Sequence, residues 1–331
     1  MERNGGLPTY CIVLVVLAYL TGAVAYSARG ISIAGCRVAP PGHFISLCGS
    51  PKFGDYEHDA FWFGLEPAAL ENLKAADVVF TGSSRTMFAF STSEVQSYFA
   101  ARGLRQFNLG FSGEDGQAFF ARLAVRHQLH PRMLVIGVDP YFSRRLSPAA
   151  SAAIYDWLEV GHLLVKQAQI AYRSTLCEWQ MIDCSSVQYT AFRSASDGYF
   201  VWRDVLMPDA EHPRPHETRA RDFQVDVRRD ARTAKRFLSR IGISPDCVVL
   251  VPMPLPDIWP KPDPVKRIAD AIGAVYIDAD TGDDLTLVDG MHLSYWSAKR
   301  FSAAFLRALD HMPQTCLGAA PPQVTAFRPA R

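Results

Sequence analysis

Five short apolar runs, each closed by a small or polar residue, limit most strongly what this chain can fold into. Asp77-Val78-Val79-Phe80 runs into Thr81-Gly82-Ser83-Ser84, and Arg105 to Leu109 into Gly110. Met133 to Val138 runs into Asp139, Cys247 to Val251 into Pro252, and Ala274 to Ile277 into Asp278. Several are β-branched and non-alternating, as expected of strands buried on both faces. Helical stretches lie between them. Ser91 and Glu94 have the spacing of a capping box ahead of Val95 to Ala101. Gly116 to Arg126 has apolar positions at helical spacing. Asp263 reads as the N-cap of a helix to Ile272, with Pro264 first and Gly273 as its stop. Ser297 to Leu309 puts Phe301, Ala304, Phe305 and Leu309 on one face. Strands alternating with helices predict an α/β fold on a parallel sheet.

The apolar residues, 49% of the chain, are not spread evenly. Tyr10 to Ala28 carries no charge and approaches the ~20 residues that cross a bilayer as a helix. A single arginine on each side gives little orientation signal. The early position favours an uncleaved anchor with the rest of the chain outside the cytoplasm. Cleavage after Ala23-Val24-Ala25 is the alternative, and a buried core helix the third reading. The chain then divides into residues 1–28 as anchor or signal peptide and 29–70 as a stalk lying against the main domain. Residues 71–313 form that domain, with an insertion or lid over about 145–240, and 314–331 form a loose tail. Ala152 to Trp179 reads as one or two helices, Ser194 to Pro215 as irregular, and Arg219 to Ile241 as helix.

Lys+Arg at 34 against Asp+Glu at 33 leaves a net charge of +1, which argues against a nucleic-acid binder. Six cysteines lie outside the apolar segment, a number that fits an oxidising compartment. Cys36 with Cys48 and Cys177 with Cys184 are the short-loop pairings to expect, whereas Cys247 reads as a small buried hydrophobe. No Cys-x-x-Cys, dinucleotide fingerprint or phosphate loop occurs, so no cofactor is expected. His212 and His216 sit in a proline-rich loop and make a weak ligand pair, so no metal is expected either. The aromatic stretch from Asp197 to Arg203 reads as a seam fastening the insertion to the sheet, in preference to a platform for a sugar.

Chemistry-bearing residues collect at the strand ends, where open α/β sheets place their sites. Ser83 and Ser84 follow the first run, with Arg85 beside them. Asn108, Gly110, Ser112 and Gly113 surround the end of the second, and Asp139 ends the third. Asp289 stands three residues before His292, just ahead of the last helix. An aspartate so placed orients an imidazole, which then deprotonates a serine brought near by the fold.

This ordered set resembles the SGNH/GDSL hydrolase superfamily, and more closely its membrane-anchored cell-envelope branch, the DltD proteins and the alginate O-acetylation proteins. Gly82-Ser83-Ser84 matches the first block of that branch, Asn108 to Gly113 the second, and Asp289 with His292 the last. The resemblance implies a three-layer α/β/α, flavodoxin-like sheet. It implies Ser84 as nucleophile, His292 as general base, Asp289 as its orienter and the Gly110 N–H as an oxyanion donor. At the third block the family has an asparagine that donates to the oxyanion, and this chain has Asp139. An ionised Asp139 would repel an oxyanion, so it is protonated, plays another part, or yields to another donor among Ser83, Arg85 and the Ser84 N–H. Arg85 would hold an anionic substrate or pair with Asp139 or Asp115.

The expectation is a membrane-anchored, periplasm-facing serine acyltransferase or esterase acting on O-acyl groups, acetyl foremost, of an envelope polysaccharide. By resemblance, an integral-membrane acyltransferase would be its partner. The rival is a non-catalytic scaffold or assembly protein on the same fold.

Overall fold

The computed structural model describes residues 10–19, 39–48, 55–111, 115–139, 141–142, 146–156, 158–159, 161, 179, 181, 190–201, 226–254, 263–279, 285–288, 291–312 and 316–317. Within the uncharged N-terminal segment, residues 10–19 are helical, and the remainder lies outside the described residues. No described helix is long and apolar enough to cross a membrane.

All five apolar runs are strands of one parallel sheet. These are β2 (Val78–Gly82), β3 (Gln106–Gly110), β4 (Met133–Val138), β7 (Val248–Pro252) and β8 (Val275–Tyr276), in the spatial order β3-β2-β4-β7-β8. Successive side chains point to opposite faces, so each strand feeds two cores. Val79, Leu134, Ile136, Val248 and Leu250 pack on one face. Val78, Phe80, Met133, Val135, Val249 and Val251 pack on the other. Burial on both sides is why most of the runs lack alternation; β3, with Gln106 and Asn108, is the exception.

Helices cover both faces. On the first lie α1 (Glu57–Phe63), α2 (Pro67–Lys74), α5 (Gln117–His127), α7 (Val227–Ile241) and α8 (Asp263–Ile272). On the second lie α4 (Ser93–Ala100) and α9 (Tyr295–Asp310), through Val95, Phe99, Phe301, Phe305 and Leu309. The helix before β3 starts later than the capping box implied. Thr92 is its N-cap, with Oγ1 accepting from the Val95 N–H at 3.4 Å. Ser91 is turned elsewhere, its Oγ accepting from the Phe200 N–H at 2.9 Å and from Asn108 Nδ2 at 3.2 Å.

A second sheet, antiparallel in the order β1-β5-β6, joins β1 (His43–Cys48) to β5 (Thr190–Ser194) and β6 (Phe200–Val201). Its strands come from the segment read as a stalk and from the insertion, so those two stretches meet. The stalk segment is also more than a covering, since Phe44, Ala60, Phe61, Ala69 and Leu73 belong to the first core. Of the insertion, α6 (Pro148–Tyr155), the second-sheet strands and nearly all of α7 are among the described residues. The Asp197 to Val201 part of the aromatic stretch does act as a seam: Phe200 is buried and packs on Phe88 with ring centroids 5.2 Å apart.

Cys247 is disulfide-bonded to Cys316, 69 residues away, which corrects its reading as a lone buried thiol. The bond fixes the start of the segment expected to be a loose tail, and the Leu317 carbonyl also accepts from the Arg132 guanidinium. Cys36, Cys177, Cys184 and the Cys48 side chain, and so both expected short-loop pairings, lie outside the described residues. Closing so long a loop restricts the unfolded chain strongly. Cys316→Ser is therefore expected to lower the unfolding free energy by about 2–4 kcal/mol, measured by urea denaturation under oxidising conditions.

Candidate active site

The sheet order reverses between β2 and β4: the chain leaves β2 to one side for β3, then crosses back to β4. Ligands of open α/β sheets bind at such a point, outside the carboxyl ends of the strands. Ser84 follows β2 and Asp139 follows β4.

The turn from β2 into α3 (Ser84–Phe90) is tight. Gly82 has φ +157°, and a Cβ there would lie 2.0 Å from Thr86 Oγ1. A Cβ on Gly137 would lie 1.9 Å from the same atom. Two glycines on neighbouring strands thus let α3 sit directly on the strand ends. Ser83 caps this helix, its Oγ accepting from the Arg85 N–H at 3.3 Å. Ser84 is the first helical residue and is half-buried.

His292 arrives from the other end of the domain. The Leu287–Leu293 bridge and the Val288 N–H bond to the His292 carbonyl at 2.9 Å shape the loop just ahead of α9. His292 Nε2 then stands 2.7 Å from Ser84 Oγ. The imidazole lies against the Phe88 ring, centroids 4.3 Å apart at 21°. Ser84 and Phe88 are four residues apart, on one helix face, so α3 supplies both the hydroxyl and the platform for its partner ring. Asp289, the expected orienter, lies outside the described residues, as do Ser112 and Gly113.

No protein-family model, curated protein or solved structure matches this chain.

Asp139 is fully buried and plays another part, holding its neighbours. It accepts from Ser83 Oγ and from the Arg85 guanidinium, the latter at 2.8 Å. Arg85 is thereby placed on Asp139, and Asp115 is engaged elsewhere. Arg85 Nε, also buried, has no hydrogen-bond partner among the described residues.

Gly110 is the expected oxyanion donor. Its N–H donates to Asn108 Oδ1 at 3.1 Å, so in this state it is committed and does not wait for an oxyanion. Asn108 acts as a clamp: its Nδ2 donates to the Met87 carbonyl at 3.1 Å and to Ser91 Oγ, tying β3 to α3. The need for glycine at 110 is steric, because a Cβ there would meet the Met87 backbone nitrogen at 2.7 Å.

Two supports were not foreseen from sequence. Phe88 is one, findable only as the residue one turn beyond Ser84. Arg193 on β5 is the other. It is completely buried, pairs with Glu57 at 2.8 Å, and donates to the carbonyls of Asn108, at 2.9 Å, and Gly110. Burial pulls its pKa down and Glu57 opposes this. Nothing in the local sequence marks Arg193 as reaching the end of β3.

A second polar cluster lies past that strand end. His58, stacked on Phe111 at 4.8 Å, is held between Asp55, at 2.8 Å from Nδ1, and Asp115 on Nε2. Asp115 also accepts from the Ser147 N–H and hydroxyl at 2.6 and 2.8 Å. Asp55, Glu57 and His58 each place a ligand-type atom within 4.8 Å of the others. Those atoms already serve one another, Arg193 and Ser46, which is the arrangement of a buried ion-pair network. The other such group, Asp246, Cys247 and Cys316, has both sulfurs in the disulfide.

Burial alone would lower the His58 pKa, but the two carboxylates outweigh it and leave it well above its ordinary 6.5. A raised folded-state value means the unfolded chain releases the proton first as pH rises. The stabilisation from His58 is therefore complete below about pH 6.5 and is lost as pH climbs through the higher folded value. Denaturation midpoints are expected to fall over that alkaline interval, and His58→Gln should flatten the dependence.

Proposed function

We propose that the chain is an SGNH-like serine hydrolase-fold enzyme that transfers acyl groups through an ester on Ser84. The observation that carries this reading is the 2.7 Å contact between Ser84 Oγ and His292 Nε2, residues 208 apart in sequence. A capping serine needs no imidazole, and a turn histidine needs no hydroxyl from the opposite end of the domain. The strand order also supports it: numbered within the sheet it is 2-1-3-4-5, the flavodoxin-like arrangement, with Ser84 at its switch point.

In the reaction, neutral His292 takes the Ser84 proton on Nε2 while Oγ attacks the acyl carbonyl. The protonated ring then returns that proton to the departing alcohol oxygen. A second alcohol, or water, is deprotonated in the same way and carries the acyl group off. Asp289 is the group expected to accept from Nδ1 and so keep Nε2 free to act as base. With the Gly110 N–H committed, two donors remain beside the nucleophile. The Ser84 N–H opens α3, where no intrahelical acceptor exists. Arg85 Nε is buried and lacks a partner among the described residues, while Asp139 keeps its guanidinium in place. In this account Asp139 does not face the oxyanion but aims the cation that does.

The proposed setting follows from the uncharged N-terminal segment and the disulfide: an inner-membrane-anchored domain in the periplasm, or one released there by cleavage. The proposed substrate is an O-acylated envelope polysaccharide, with an integral-membrane acyltransferase as partner. Incubation with an activated acetyl ester tests the chemistry. Leaving-group release is expected, and faster release with a glycan hydroxyl present marks a transferase rather than an esterase. A folded preparation inert in both conditions would contradict the reading. The committed Gly110 amide and the aspartate at the third block favour a second reading, a non-catalytic assembly protein on the same fold.

A further inference from the structure

Helix α7 is mounted rigidly by one face and left bare on the other. Ala231, Ala234, Phe237 and Leu238 are buried in the core, with Phe237 against Phe120 and Tyr141 at 6.0 and 6.2 Å. The exposed face carries Arg228, Arg229, Arg232, Lys235, Arg236 and Arg240. Arg229 leans on Asp230 at 3.2 Å. None of the other five forms a salt bridge among the described residues. Arg228, Arg232, Arg236 and Arg240 fall on one i,i+4 row, a ridge about 18 Å long. Like charges at that spacing repel, so each neighbouring pair works against the helix. A chain of net charge +1 concentrates its positive charge here at a cost to its own stability, which an anionic surface would relieve.

A second, independent feature selects that surface. Residues 10–19 present Tyr10, Ile12, Leu14, Val15 and Tyr19 at 61–74% exposure, uncovered by the domain. An apolar helix without protein cover suits lipid hydrocarbon, and a basic face suits lipid phosphate. Stable attachment to a bilayer takes two such signals.

We propose that the exposed face of α7 is a docking surface for an anionic membrane, pressing phosphate headgroups against its arginine ridge while the N-terminal segment enters the same bilayer. The full-length chain would be partitioned onto vesicles of phosphatidylcholine alone and of phosphatidylcholine mixed with phosphatidylglycerol. The apolar segment supports binding to both. The ridge is expected to add about tenfold or more on the anionic vesicles at low salt. That increment should vanish near 0.5 M salt, where the screening length is only a few ångströms. Replacing Arg228, Arg232, Arg236 and Arg240 together by Gln should abolish the increment and leave binding to neutral vesicles unchanged. Replacing the same four by Lys should retain it, separating charge from any loss of fold. Wild-type binding indifferent to anionic lipid would overturn the proposal, as would a Gln variant that keeps the full increment. Retention on an immobilised acidic polysaccharide, without any vesicle increment, would overturn it in favour of a glycan-binding face.

Discussion

Ser84→Ala is expected to cut turnover of an activated acyl ester by about a thousandfold or more, and His292→Ala by a similar factor. The reason is the 2.7 Å contact. Without the imidazole the hydroxyl keeps its proton, and without the hydroxyl the imidazole has nothing to activate. The two act as one unit, so the double variant should fall no lower than either single one. Independent, multiplying losses would mean that His292 serves the substrate directly rather than Ser84. Full activity in both variants would leave the scaffold reading standing. Melting curves that match the wild type are the necessary control, because Ser84 lies beside a helix cap and His292 rests on Phe88.

Arg193→Ala is expected to be the most destabilising single change outside the hydrophobic core, lowering the unfolding free energy by about 3–5 kcal/mol. Arg193 and Glu57 are both completely buried, so removing one leaves an uncompensated charge. It also strips donors from the Asn108 and Gly110 carbonyls and loosens the strand end that borders the site. Arg193→Met combined with Glu57→Gln removes both charges and should recover part of the loss, which a double-mutant cycle in urea measures. A change below about 1 kcal/mol for Arg193→Ala, within the range of surface pairs, would contradict the burial assigned to it.

The parallel sheet was legible because its strands bury both faces, so most of them appear as short apolar runs ended by a small or polar residue, β3 with Gln106 and Asn108 being the exception. Ser84 and His292 were legible through the ordered blocks that carry the resemblance, and the fold brings the two side chains together, whereas Asp289 lies outside the described residues. The second sheet was not. His43–Cys48 pairs with Thr190–Ser194 across almost 150 residues, and neither stretch carries a period strong enough to announce a partner. Arg193 was hidden for the same reason, its acceptors being set by that pairing. The oxyanion role expected of Gly110 came from the resemblance, and the Asn108 side chain, which takes its N–H, is what the resemblance did not convey. Cys247 misled because an apolar neighbourhood hides a cysteine whose mate lies beyond the last helix.

The central claim is that Ser84 is a nucleophile made reactive by His292. Its most direct test is mass-spectrometric mapping of the full-length protein after exposure to a serine-reactive phosphonate. One adduct is expected, on the peptide carrying Ser84, and it should be lost when His292 is replaced by Ala. A well-folded protein that stays unmodified, or that is modified equally without His292, would contradict the account.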